Sequence, residues 1–273
     1  MDDIDPYLQG KRLYGDDFSA EQIAKWYADE KEGYAQLGAA EASTYEYGYH
    51  ALNSYHAFRH LRRQTFPVAL GFGSAYGDEL LPIISQIGQL TVVDPSDAFA
   101  RQSVHGVPAN YIRPKPDGML PMPDNTFDLI TCLGVLHHIP NVSCVVGEFA
   151  RTLKPGGRIV LREPIVSMGD WRRPRAGLTK RERGIPLPIL RTIIGAAGLA
   201  IEHESLCLFP LTMRLARMLD WQLYNSGLVT RLDGLLCAAF ARNVNYHPRS
   251  ALQRLRPTSV FLVLRKLPIP VRH

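Results

Sequence analysis

From Pro67 onward, short β-rich runs alternate with stretches of helical periodicity, the pattern of βαβ units laid on a parallel sheet. The apolar runs are 68–71, 90–94, 110–112, 127–132, 158–162, 199–202 and 259–264, which predicts a doubly wound, Rossmann-like α/β fold with seven strands. Leu187, Leu190, Ile193, Ile194 and Ala197 fall on one helical face, and Gly198 ends that helix. Lys154-Pro155-Gly156-Gly157 reads as a turn between helix and strand. A helix is also expected after the glycine turn near Ser74, begun late or kinked by Pro82. Upstream of the sheet, Ser19-Ala20-Glu21-Gln22 has the form of a capping box, and Ile23, Trp26, Tyr27, Tyr34 and Leu37 follow at helical spacing. A stretch rich in rings comes next (Tyr45, Tyr47, Tyr49, His50, Tyr55, His56), either packed on the core or lining a pocket.

Composition places this chain of 273 residues among ordinary globular proteins, since 46% is hydrophobic and 21% charged. The acidic start Met1-Asp2-Asp3 is unlike a secretory signal, and no run nears the roughly 18 apolar residues that span a bilayer. Four widely spaced cysteines (Cys132, Cys144, Cys207, Cys237) suit reduced thiols, so a cytoplasmic protein without structural metal is expected. The net charge of +5 divides unevenly, into −4 over residues 1–66 and +9 over the remainder. Seven basic residues between Arg162 and Arg183 outweigh three acidic ones and form either a solvated loop or an anion-binding surface.

The chemistry gathers at strand ends. Gly71-Phe72-Gly73-Ser74 follows the first strand, where glycine lets a ligand approach the backbone closely. Asp94 ends the second strand, where a carboxylate can accept from both hydroxyls of a ribose. These features indicate an adenosine-containing cofactor without separating nicotinamide dinucleotides from S-adenosylmethionine. Asp117-Gly118-Met119-Leu120-Pro121, Asp124-Asn125-Thr126-Phe127-Asp128, Leu133-Gly134-Val135-Leu136-His137-His138 and Leu153-Lys154-Pro155-Gly156-Gly157 are the further elements. In order and spacing along residues 67–163 they resemble class I S-adenosylmethionine-dependent methyltransferases, in the small-molecule branch called type 11.

The resemblance implies that Gly71, Phe72 and Gly73 wrap the methionine part of S-adenosylmethionine, that Asp94 binds the ribose, that Asp117 with Gly118 takes the adenine, and that Leu133 lies along the cofactor. Two departures stand out: the family's acid two residues before the first glycine is Ala69 here, and its third glycine is Ala75. The family plan also implies an antiparallel last strand, an N-terminal helical lid (1–66) over a core of 67–273, and a helical insertion at about 207–250. The leucines of that insertion, among them Leu211, Leu215, Leu219 and Leu235, are expected to pack on the sheet, with membrane-surface or partner docking as the alternative.

Methyl transfer to a hydroxyl needs a proton acceptor. His137, His138 and Glu163 follow strands and are the catalytic candidates, with His50, His56 and Tyr49 behind them. Trp171, Arg172, Arg173 and Arg175 follow the fifth strand and would bind a phosphate- or carboxylate-bearing substrate such as a sugar-containing intermediate. The expected activity is therefore O-methylation of a small anionic molecule. An NAD(P)-dependent oxidoreductase is the alternative. A nucleic-acid partner is disfavoured because the basic residues form one loop without interleaved aromatics. The acceptor and the oligomeric state are left open.

Overall fold

The computed structural model describes residues 4–37, 46–175, 177–219 and 222–267. Tyr45, and the side chains of Tyr34 and Leu37, lie outside what is described. A short helix α1 (Asp5–Leu8) precedes α2 (Ala20–Leu37). The capping box forms as the sequence predicts: the Ser19 amide donates to Gln22 Oε1 at 2.9 Å and the Gln22 amide to Ser19 Oγ at 3.3 Å. Helix α3 (His50–His56) then leads into β1 (Phe66–Phe72). The ring-rich stretch packs here, with His56 stacked on Phe261 and Tyr49 on Tyr224.

The sheet continues with β2 (Ile87–Val93), β3 (Ser103–Val104), β4 (Val107–Ile112), β5 (Phe127–Leu133), β6 (Leu153–Pro164), β7 (Leu199–Cys207) and β8 (Ser259–Lys266). Its order is β3-β4-β2-β1-β5-β6-β8-β7. β1 pairs in parallel with β2 on one side and β5 on the other, so the winding reverses between β1 and β5. A crevice must open at their carboxyl ends, because the connecting segments leave in opposite directions. β8 runs antiparallel between β6 and β7.

Among the described residues there are eight strands, one more than expected. The extra one, β3, is a two-residue edge strand folded back on β4 through His105 and Gly106, both at positive φ, and is too short to show periodicity. The segment after the glycine turn is 3-10 over Asp78–Gln86, with Pro82 inside it. Proline removes an amide donor and clashes with the preceding turn, which disfavours a regular α-helix. Lys154-Pro155-Gly156-Gly157 lies within β6, where the pairing with β5 jumps from Leu153 to Arg158.

Side-chain alternation along the strands builds two cores. Leu70, Phe72, Ile130, Cys132, Ile159 and Leu161 face α4 (Val142–Thr152) and α5 (Leu187–Ala196). Ala69, Leu129, Val160, Phe261 and Val263 face α3 and the 3-10 segments. The insertion forms α6 (Pro210–Leu219) and α7 (Gly227–Ala239), and here the expected packing is inverted. Leu211, Leu215, Leu219 and Leu235 are exposed, while the buried stripe of α7 is Thr230, Asp233 and Cys237. Among the described residues no helix is long and apolar enough to cross a membrane.

Asp233 explains that inversion. Fully buried, it accepts the amides of Leu208 (2.9 Å) and Phe209 (2.8 Å), the Tyr224 hydroxyl (3.2 Å) and the Thr212 hydroxyl, so α7 is fastened to the chain leaving β7 through a carboxylate. Asp233→Ala strands several buried donors and is expected to cost about 3 kcal/mol, measured as a lower urea midpoint; an unchanged midpoint would show the carboxylate to be dispensable.

Candidate active site

The crevice is built where β1, β2 and β5 end and encloses about 920 Å³, open solvent at its mouth included. Phe72 and Gly73 from β1, Asp94 and Pro95 from β2, and Gly134 and Val135 after β5 line it. Gly73 has φ +68°, and a Cβ there would lie 2.5 Å from a Val135 methyl, so close packing of the two loops requires glycine. Gly71 is equally constrained: a Cβ would lie 2.4 Å from Ser74 Oγ. The Asp94 carboxylate accepts the Ala75 amide (3.0 Å) on one oxygen and the Ser96 amide (3.0 Å) on the other. Burial raises its pKa and the two amides oppose that rise. The carboxylate is thus oriented at the crevice wall with lone pairs left over, which fits a ribose diol.

The remaining cofactor candidates are placed as follows. Gly118 has φ +79° and lines the crevice with Met119, Leu120 and Val145, an apolar slot suited to a base. Asp117 is exposed; its carboxylate accepts the Met119 amide (2.9 Å) and its carbonyl the Asn141 side-chain amide (2.7 Å), so it shapes this loop from behind. Leu133 packs against the core, and Gly134 and Val135 reach the crevice in its stead. Missed in the sequence were Trp26, Tyr27 and Glu30 of α2, which roof the crevice. A helical stripe of Trp, Tyr and Glu gives no sign of which distant loop it covers.

The three catalytic candidates separate cleanly. Glu163 is fully buried and accepts the amides of Val135 (2.9 Å), Leu136 (2.8 Å) and His137 (3.2 Å) besides His137 Nδ1 (2.9 Å). It holds the turn after β5 together and faces no ligand space. His137 lies between carboxylates, with Nε2 3.5 Å from Glu182. Burial would lower its pKa, but Glu163 and Glu182 raise it overall. His138 lines the crevice, and its Nδ1 lies 2.9 Å from buried Glu30. Burial and the neighbouring His137 lower its pKa despite Glu30, leaving the ring neutral near pH 7. One donor atom each from His137, His138 and Glu182 lie within 4.8 Å of one another, a spacing that could hold a metal ion; within the fold the same residues are tied into hydrogen bonds with Glu30, Glu163 and Thr179. His56 is buried against Ser205 (2.7 Å), its pKa lowered to about 4 by burial, and stands away from the crevice.

Much of the basic segment is engaged within the fold. Trp171 is buried and stacks on Tyr14 at 4.4 Å. Arg172 forms a fork on Asp170 (2.9 Å to each oxygen), Arg173 lies 4.0 Å from the same carboxylate, and Arg175 donates to the carbonyls of Met168, Thr179, Lys180 and Glu182. None of these four predicted substrate residues lines the crevice. Further along, Lys180 and Arg181 pair with Asp29 of α2, and the Arg181 amide donates to Glu30. Arg183, fully buried and lowered to about 10 by that burial, donates to the carbonyls of Tyr14, Leu136, His137, Ile139 and Pro140. The positive loop neutralises the acidic N-terminal segment and fastens α2 over the crevice.

Burial alone would raise Glu182, yet the hydrogen bond from His137 and the charges of both histidines hold it down to about 2. Its contribution to stability is present above its ordinary value of 4.5 and is lost as the pH falls toward 2. His137, raised above 6.5, contributes below that value and loses its contribution as the pH rises through the raised one. Urea titrations should therefore show the advantage of the wild type over Glu182→Gln to be greatest between pH 4.5 and 6.5, shrinking on either side. A pH-independent difference would contradict this account.

Residues 68–161 match a family model described as "Methyltransferase domain". A ubiquinone/menaquinone biosynthesis C-methyltransferase of Shewanella pealeana is 32% identical over 88 residues, 30% of this chain and 35% of that protein. A demethylmenaquinone methyltransferase of a Geobacillus strain is 32% identical over 91 residues, 33% of this chain and 35% of its own length. The chain thus spans about a third of the length of the curated relatives it matches. Among solved structures, a protein from Bacillus halodurans aligns with TM-score 0.52 at 16% identity, covering 77% of this chain and 97% of that one. An S-adenosylmethionine-dependent methyltransferase from Mesorhizobium loti aligns with TM-score 0.50 at 18% identity, covering 77% and 95%. The nicotinamide alternative finds no support in these relatives. Residues 68–161 thus match a methyltransferase domain, and the glycine loop, the Asp94 strand end and the strand order agree with the class I S-adenosylmethionine-dependent methyltransferase fold.

Proposed function

We propose that the protein transfers a methyl group from S-adenosylmethionine to a hydroxyl of a small molecule, with His138 as the proton acceptor and Glu30 as the group that orients it. The observation that carries this reading is the His138–Glu30 pair on the crevice wall, a neutral imidazole hydrogen-bonded at Nδ1 to a buried carboxylate. When bound, the cofactor supplies an electrophilic methyl on a sulfonium, open to in-line displacement by the acceptor.

The chain's residues do the rest. Asp94 fixes the ribose, and the Gly118–Leu120 loop with Val145 encloses the base. Trp26 and Tyr27 shut water out from above and leave a site of low dielectric in which the acceptor is held in line. His138 takes the hydroxyl proton as the oxygen attacks, and Glu30 stabilises the imidazolium. A phosphate or carboxylate on the acceptor draws no support from Arg172 or Arg175, whose forks are occupied elsewhere, or from Arg173, which does not line the crevice. The quinone-pathway relatives are named for methylation at carbon, and a ring carbon activated by loss of a neighbouring hydroxyl proton would call on the same base.

Calorimetry with S-adenosylmethionine tests the foundation: Asp94→Asn is expected to weaken binding about tenfold to a hundredfold, and no binding to the wild type at millimolar cofactor would end the reading. Transfer of radiolabelled methyl to a panel of phenols and sugars tests the chemistry. His138→Asn should lower turnover about a hundredfold at unchanged cofactor affinity, with the product's methyl on oxygen. Full activity in that variant would remove His138 from the reaction.

A further inference from the structure

We propose that Glu79 and Arg162 bind the two charges of the cofactor's amino-acid end, the Glu79 carboxylate taking the ammonium and the Arg162 guanidinium the carboxylate. This rests on the cofactor reading above and assigns the part of the ligand that the crevice lining leaves unaccounted for. S-adenosylmethionine ends in a zwitterion, and moving two opposite charges out of water demands an anion and a cation to receive them. The charged residues that line the crevice are Glu30, Asp94 and Lys115. Glu30 is engaged by His138, Thr179 and the Arg181 amide, and Asp94 stands at the ribose. Lys115 belongs to the exposed loop at the base end.

The opposite end, past Gly73 and Gly134, holds the matching pair. Glu79 is buried, and its Oε1 lies 3.9 Å from where a Cβ on Gly71 would be, directly beside the glycine turn. Ala69, at the position where the family places an acid, contributes no charge. Glu79 is hydrogen-bonded to Ser74 and its own amide, and among the described residues no cation pairs with it within 4 Å. Burial pushes its pKa up to about 7, the mark of a carboxylate whose counter-ion is missing.

Arg162 projects from β6 on the same sheet face, with Nη2 3.5 Å from where a Cβ on Gly134 would be. Its polar contacts are to neutral groups, 3.3 Å to Asn53 Oδ1, 3.4 Å to the Leu133 carbonyl and a hydrogen bond to the Tyr47 hydroxyl. Its guanidinium stacks on Tyr49 at 4.4 Å, and Asn53 is braced in turn by the Tyr47 hydroxyl at 2.8 Å. No carboxylate among the described residues pairs with it. Glu79 and Arg162 feel each other's charge without closing to ion-pair distance. A rigidly held fork and a buried carboxylate, each unneutralised, on either side of the two glycine turns make a receptor for a zwitterion.

The test compares S-adenosylhomocysteine with 5′-methylthioadenosine, which has the same nucleoside but no amino-acid end. By calorimetry the wild type should bind S-adenosylhomocysteine at least about tenfold more tightly, and Glu79→Gln and Arg162→Met should each weaken it about tenfold or more while leaving methylthioadenosine within about twofold. Arg162→Lys, which keeps the charge without the fork, should retain part of the affinity. Equal affinity of the wild type for both ligands overturns the proposal without any variant. So does a parallel loss of both ligands, or of neither, in variants whose melting curves match the wild type. Binding of neither ligand by the wild type would instead refute the cofactor reading itself.

Discussion

Glu163 has no access to solvent, and its carboxylate draws three successive amides and an imidazole onto itself. A buried anion of this kind is tolerated only when nearly all its lone pairs are used, so the turn after β5 can take little other than its observed shape. That shape sets where Val135 meets Gly73, turns His138 toward the crevice and points the carbonyls of Leu136, His137, Ile139 and Pro140 at Arg183. The floor of the site and the anchorage of its roof thus share a single electrostatic origin.

The roof is assembled by long-range charge pairing. The N-terminal segment carries surplus acid and the loop after β6 surplus base, and they meet at Asp29, Glu30, Lys180 and Arg181. Uneven charge along a chain invites a search for an external partner. Here the chain's two halves pair with each other, and Arg172 and Arg175, which suggested an anionic ligand, meet Asp170 and backbone carbonyls.

What could be read from residue order divides along the same line. The glycine turn and Asp94 were legible because a parallel strand, a tight turn and an acid at the next strand end are fixed by local stereochemistry. The capping box was legible for the same reason. Local patterns misled where a tertiary partner overrode them. Asp233 turned the polar stripe of α7 inward and left its leucines outside, and Pro82 reduced an expected α-helix to tighter turns. Trp26, Glu30, Glu79 and Arg162 were beyond reach, since each acquires meaning only from residues far away in sequence that the sheet brings beside it.

The fastening of α2 has an ionic side as well. Trp26 and Tyr27 overhang the crevice, and the helix that carries them is held down where Asp29 meets two cations. Dissolved ions compete for such partly exposed pairs. The seating of α2 over the crevice is thereby coupled to ionic strength, through pairs that lie outside the sheet itself.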